Sequence, residues 1–197
     1  MKILLVLSFF VSSFAMMAQT TTSDLPYHQI PETPESYTAN AVAARMIDGL
    51  GFRYYWATEG LRDEDLSYQP GEHTRNIKET LNHIYDLCEM ILNATKQVPN
   101  IRPRKDLIMG FEEQRAATLL MLKEASDLLR EQDKVELSEA EIVFKRGDRE
   151  STFPFWNVLN GPLADAIWHV GQVVSFRRSS GNPTDGRVDV FSGKLRN

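Results

Sequence analysis

Two histidines and one aspartate in this chain stand where helices would aim them. His83 lies in a segment of helical apolar periodicity, at the edge of its apolar stripe, and His169 has a similar offset in a later segment. Asp165 precedes His169 by one turn, and Gln172 and Phe176 follow it on the same stripe. Asp165 and His169, four residues apart, project side by side, and the helix fixes their separation without a loop to order. Such a pair is a platform for a divalent metal, with His83 from a facing helix as the third donor. A His, Asp, His set leaves coordination positions for water or substrate, whereas structural zinc closes with four protein ligands. The chemistry available there is a lowered pKa for a bound water or thiol, or polarisation of a carbonyl. The same spacing also suits a plainer role. Asp165 can answer the positive end of its helix, and the two histidines can be hydrogen-bonded boundary residues.

Other residues around this constellation have their own alternatives. Glu79, one turn before His83, reads first as a capping residue and second as a group that orients or replaces a metal ligand; Gln172 is assigned beside the ligands or against a substrate. Cys88 falls on the main apolar stripe and reads as an inert buried thiol. Trp56, Trp156 and Trp168 are assigned to the core or to the walls of the site. Arg177 and Arg178, in a last helical turn, face the helix dipole or bind an anionic substrate. Asn93-Ala94-Thr95 matches a glycosylation sequon.

Four helical segments must position these groups. The first covers 36–61, with Val42, Met46, Leu50, Tyr54, Ala57 and Leu61 inward and Gly49, Gly51 and Gly60 weakening it. The second begins after Asn76, with Glu79 at the third position of a capping box, and runs through Ile77, Leu81, Ile84, Cys88 and Ile91. The third spans 110–132 with Leu119, Leu122, Ala125 and Leu129 inward. The fourth carries Leu163, Ile167, Val170 and Val174, with Pro162 either opening it or kinking a longer helix from near Phe155. Residues 141–145 and 151–155 flank Arg146-Gly147-Asp148-Arg149 as a β-hairpin. The stretch 62–75, with Pro70-Gly71, is a crossover between the first two helices. The fold class expected is therefore all-α, a four-helix bundle over 36–183 with one small hairpin between helices three and four.

Composition narrows the function. The chain has 197 residues, one ordinary domain, and its 42% hydrophobic and 25% charged content suits a soluble protein with a full core. Lys and Arg total 22 against 27 Asp and Glu, a net charge of −5, which argues against nucleic acid or an anionic membrane as partner. With one cysteine, no intrachain disulfide or thiolate cage can form, so any metal is held by nitrogen and oxygen. Residues 1–18, a basic start, an apolar run and a small residue before a polar stretch, read as a secretory signal peptide, which makes the mature protein periplasmic or extracellular. Residues 19–35 read as an extended leader outside the core. Gly181-Asn182-Pro183 stops the last helix, and 184–197 reads as a polar tail held by Val188, Val190 and Phe191.

The run Asn76-Ile-Lys-Glu-Thr-Leu-Asn-His83-Ile84, together with Asp165-Ala-Ile-Trp-His169-Val-Gly171-Gln172 and Ser175-Phe-Arg-Arg-Ser-Ser-Gly-Asn-Pro183, resembles the DinB-like (DinB/YfiT) superfamily of metal-binding four-helix bundles. The resemblance covers about 37–183 and is sharper in the last helix. It implies one divalent ion, zinc or nickel with manganese as a third option, held by His83, by His169 and by Asp165, which stands where the family usually has a histidine. Some thiol-dependent branches of the family carry a carboxylate at that position. Val170 stands where the family pattern has an arginine. The family likeness also implies a homodimer and a small-molecule substrate, with a thiol-dependent transferase or isomerase activity. Export would separate the chain from cytoplasmic thiols, which makes hydrolysis by metal-bound water an equal expectation. The rival reading is a metal-free binding or interaction module on the same bundle.

Overall fold

The structure is a computed structural model that describes residues 25–131 and 134–197; the signal peptide expected over 1–18 and the first part of the leader lie outside the described residues. Four long helices dominate it. α1 (Ala39–Thr58) starts where the Thr38 hydroxyl accepts a hydrogen bond from the Ala41 amide at 3.1 Å. A five-residue helix, α2 (Asp63–Ser67), lies inside the expected crossover. α3 (Ile77–Thr95) begins with the capping box predicted for it: Asn76 Oδ1 accepts from the Glu79 amide at 2.8 Å, and Glu79 Oε2 accepts from the Asn76 amide at 3.0 Å. α4 (Phe111–Arg130) follows.

The segment before the last helix takes the kinked alternative. α5 (Trp156–Val158) passes into a π-helical segment, Leu159–Leu163, which contains Pro162 and non-helical angles at Gly161, and then into α6 (Ala164–Ser179). Proline supplies no amide and clashes with the preceding turn, so the wide π turn absorbs it.

α1 packs on α4, α4 on α3, α3 on α6 and α6 on α1, so each long helix buries its apolar face against two others. The stripes of α3 and α4 are as expected: Ile77, Leu81, Ile84, Cys88 and Ile91, and Leu119, Leu122, Ala125 and Leu129, are all buried. Burial pushes the Cys88 thiol well above its ordinary pKa, so it is an inert core group. The phase of α1 differs from expectation. Ala43, Ala44, Ile47, Leu50 and Tyr54 face inward, while Val42 and Met46 are about half exposed. Small alanines bring α1 close to its neighbour, and their weak hydrophobicity blurs the phase of the stripe.

The fold is mostly α but carries more strand than one hairpin. β2 (Glu141–Arg146) and β3 (Arg149–Pro154) pair antiparallel, with Ile142 opposite Phe153 and Arg146 opposite Arg149. Gly147, at φ +58°, takes the first central position of the turn, where two-residue hairpin loops need a positive φ. β1 (Asn100–Ile101) adds to β2 in parallel. In the expected polar tail, β4 (Val188–Asp189) and β5 (Lys194–Leu195) form a second small sheet.

The described part of the leader does not lie outside the core. Leu25 and Tyr27 are buried, and the Tyr27 hydroxyl donates to the buried carboxylate of Asp48 at 3.1 Å. Gly51 makes this docking possible, because a Cβ there would stand 2.4 Å from Tyr27 Cδ2. The Ile30 amide donates to the Gly193 carbonyl at 2.8 Å, which joins the leader to the C-terminal hairpin. No helix among the described residues is long and apolar enough to cross a membrane.

Candidate metal centre

α3 and α6 bring the three expected donors together. His83 lies on the second turn of α3, and Asp165 and His169 lie on the first two turns of α6 after the π segment. Their donor atoms all lie within 4.8 Å of one another. His83 Nε2 is 3.2 Å from Asp165 Oδ2, and His169 Nε2 is 3.3 Å from Asp165 Oδ1. The imidazole rings stand edge to face, with centroids 4.7 Å apart. Donors at about 2.1 Å from one ion are separated by about 3.0–3.4 Å at octahedral to tetrahedral angles. The two separations, each to a different oxygen of Asp165, are of that order, and the cluster could hold a metal ion.

Protonation chemistry strengthens the fit. His169 Nδ1 lies 2.7 Å from Gln172 Oε1, and a carbonyl oxygen can only accept, so Nδ1 carries the proton. The ring nitrogen left for a metal in a neutral His169 is then Nε2, the atom 3.3 Å from Asp165 Oδ1. Metal-bound histidines characteristically donate their other nitrogen to an oxygen in this way. For His83, partial burial lowers the pKa, the Arg75 cation lowers it further, and the hydrogen bond to Asp165 opposes both. A depressed pKa keeps that ring neutral and able to ligate at neutral pH.

Glu79 does not join the cluster. Its carboxylate is engaged in the cap of α3, so the first of its two readings holds. Gln172 stands beside one of the three donors, His169. The tryptophans divide: Trp56 Nε1 donates to the His28 carbonyl at 3.1 Å, while Trp156 and Trp168 are largely exposed and belong to no core wall. Trp168 stacks on His169, with ring centroids 5.8 Å apart and planes 15° from parallel. Its position next to His169 in sequence was the available signal for that contact. Trp168 and Asp165 border an open cleft of about 460 Å³, walled also by Leu87 and Pro162. Val170, where the resemblance led us to expect an arginine, is buried in the core.

Arg177 stands in the last turn of α6, as expected, but makes contacts that its spacing did not show. Its side chain is buried, and its Nη1 donates to the carbonyls of Trp56, Ala57 and Glu59 at 3.3, 2.9 and 3.0 Å, while its Nε donates to the Asn182 carbonyl. It satisfies the carbonyls left open where α1 ends.

No protein-family model matches the chain, and no match is found among curated proteins or solved structures.

Proposed function

We propose that this chain is an exported four-helix bundle of the DinB/YfiT type that binds one divalent ion, zinc or nickel, through His83, Asp165 and His169, and acts on a small molecule as a hydrolase or thiol-dependent transferase. The observation that supports the reading is the convergence of His83, Asp165 and His169, whose donor atoms all lie within 4.8 Å of one another, while Gln172 Oε1 stands 2.7 Å from the opposite ring nitrogen of His169. When bound, the ion would supply Lewis acidity to a water, thiol or carbonyl. The chain's own part is positional. Gln172 fixes the tautomer and tilt of His169, and Asp165 links both imidazoles. The exposed face of Trp168 and the side chains of Leu87 and Pro162 offer an apolar wall beside Asp165 for a substrate.

Elemental analysis tests this on protein prepared without chelators or a histidine tag. The expected result is close to one divalent ion per chain, lost in His169→Ala; absence of metal from the parent protein overturns the reading. Melting with added zinc, nickel or manganese separates it from a metal-free binding module, because an ion bound only by the folded state raises the midpoint. Export and homodimer formation belong to the same proposal. Mass analysis of the mature N-terminus and light scattering test them.

A further inference from the structure

On the side of α6 away from the metal donors, a second cleft of about 550 Å³ lies between α1, α6 and the C-terminal hairpin. Its floor is apolar, formed by Ala57, Ile167, Val170 and Val174, and its rim carries Arg53, Arg178 and Arg196. The chain as a whole is acidic, with a net charge of −5, yet none of these three guanidinium groups has a carboxylate within ion-pair distance among the described residues. Arg53 Nη1 donates to the Gly49 carbonyl at 2.9 Å and Arg196 Nη2 to the Gly186 carbonyl at 3.0 Å. Each guanidinium has five N–H donors, so both are oriented by the backbone with most of their donors free. The acid in the lining, Asp185, is already taken by Arg187 at 2.6 Å, which holds its carboxyl at about 2.

Gly171 adds an independent observation. It lines the same cleft in the middle of α6, where glycine costs about 1 kcal/mol relative to alanine. No atom lies near the position its Cβ would take, so packing within the chain does not require the glycine. A bare backbone beside three arginines that make no ion pair among the described residues suits the close approach of a ligand.

We propose that this cleft is a binding site for a small organic anion with an apolar body, its carboxylate, sulfonate or phosphate head between Arg53, Arg178 and Arg196 and its body on Ile167, Val170 and Val174. The volume is that of a site for one small molecule. Guanidinium forks match the planar oxygens of such heads, and the apolar floor contributes affinity that a free inorganic ion would not gain. The site shares α6 with the metal donors but none of its residues, so it stands without the metal reading.

Calorimetric titration of the mature full-length protein with phenylbutyrate, and with its uncharged amide, tests the assignment. Saturable binding of one phenylbutyrate per chain is expected, with the amide at least about tenfold weaker. Arg178→Ala and Arg196→Ala together should cost about tenfold in affinity. Gly171→Leu, which fills open space and favours the helix, should abolish binding while leaving the melting midpoint at or above the parent's. His169→Ala should bind phenylbutyrate as the parent does, whether or not the protein carries metal. Equal affinity for acid and amide overturns the proposal, as does unchanged affinity in the double arginine variant. So does binding to phosphatidylglycerol vesicles without saturable binding of the free acid.

Discussion

The ring of Tyr27 lies over Gly51 so closely that a single added carbon on the glycine would sit 2.4 Å from Tyr27 Cδ2. Gly51→Ala should therefore destabilise the protein by about 1–2 kcal/mol, because overpacking outweighs the gain in helix propensity. Urea denaturation checks this, and the sign should reverse in a Tyr27→Ala background, where the space is free.

Buried Asp48 accepts hydrogen bonds from the Tyr27 hydroxyl at 3.1 Å, the Ser126 hydroxyl at 2.6 Å and the Arg130 guanidinium. Arg130→Leu leaves that carboxylate without its cation and should cost about 3–5 kcal/mol. Adding Asp48→Asn should recover part of the loss. A double-mutant cycle by chemical denaturation reads the coupling, and strict additivity would count against the pairing.

Asp65 governs the acid limb of stability. Its buried carboxylate accepts from Arg62 Nε at 2.9 Å, Ser180 Oγ at 2.5 Å and Asn182 Nδ2 at 2.6 Å, and these donors, Arg62 foremost, hold it well below the usual carboxylate range. A folded-state pKa lower than the unfolded value of about 3.9 contributes stability that is present above about pH 4 and lost as the pH falls further. Asp65→Asn should be less stable near neutrality and change less than the parent between about pH 5 and about pH 3. Parallel urea melts across that range would expose a parent and variant that respond alike.

Gln172→Leu removes the acceptor at His169 Nδ1 without touching a donor to the metal. Metal affinity should fall by about 10- to 100-fold, and Gln172→Glu, which keeps an acceptor at the same reach, should retain most of it. Competition against a chromophoric chelator measures both.

Local signals made the middle of the chain legible. Asn76 and Glu79 announce the start of α3 because a capping box is complete within four residues, and the stripes of α3 and α4 are dense in large aliphatics. The pairing of Asp165 with His169 follows from helix spacing alone, and Pro162 flags a kink. What escaped depends on distant partners. Tyr27 is buried because a glycine on another element leaves room for it, and Arg177 is buried because α1 ends beside it with open carbonyls. The strands β4 and β5 are two residues each, too short to show a period. The phase of α1 was misread because Ala43 and Ala44 mark its inner face less strongly than Val42 and Met46 mark the outer one.

The π-helical segment at Leu159–Leu163 has a consequence for how this chain can change. One residue of helix corresponds to about 100° of rotation, so a one-codon deletion in that segment would swing Asp165 and His169 off the α3 side while all three donor residues stayed encoded. A lineage could in this way silence the centre in a single event, and a matching insertion could restore it.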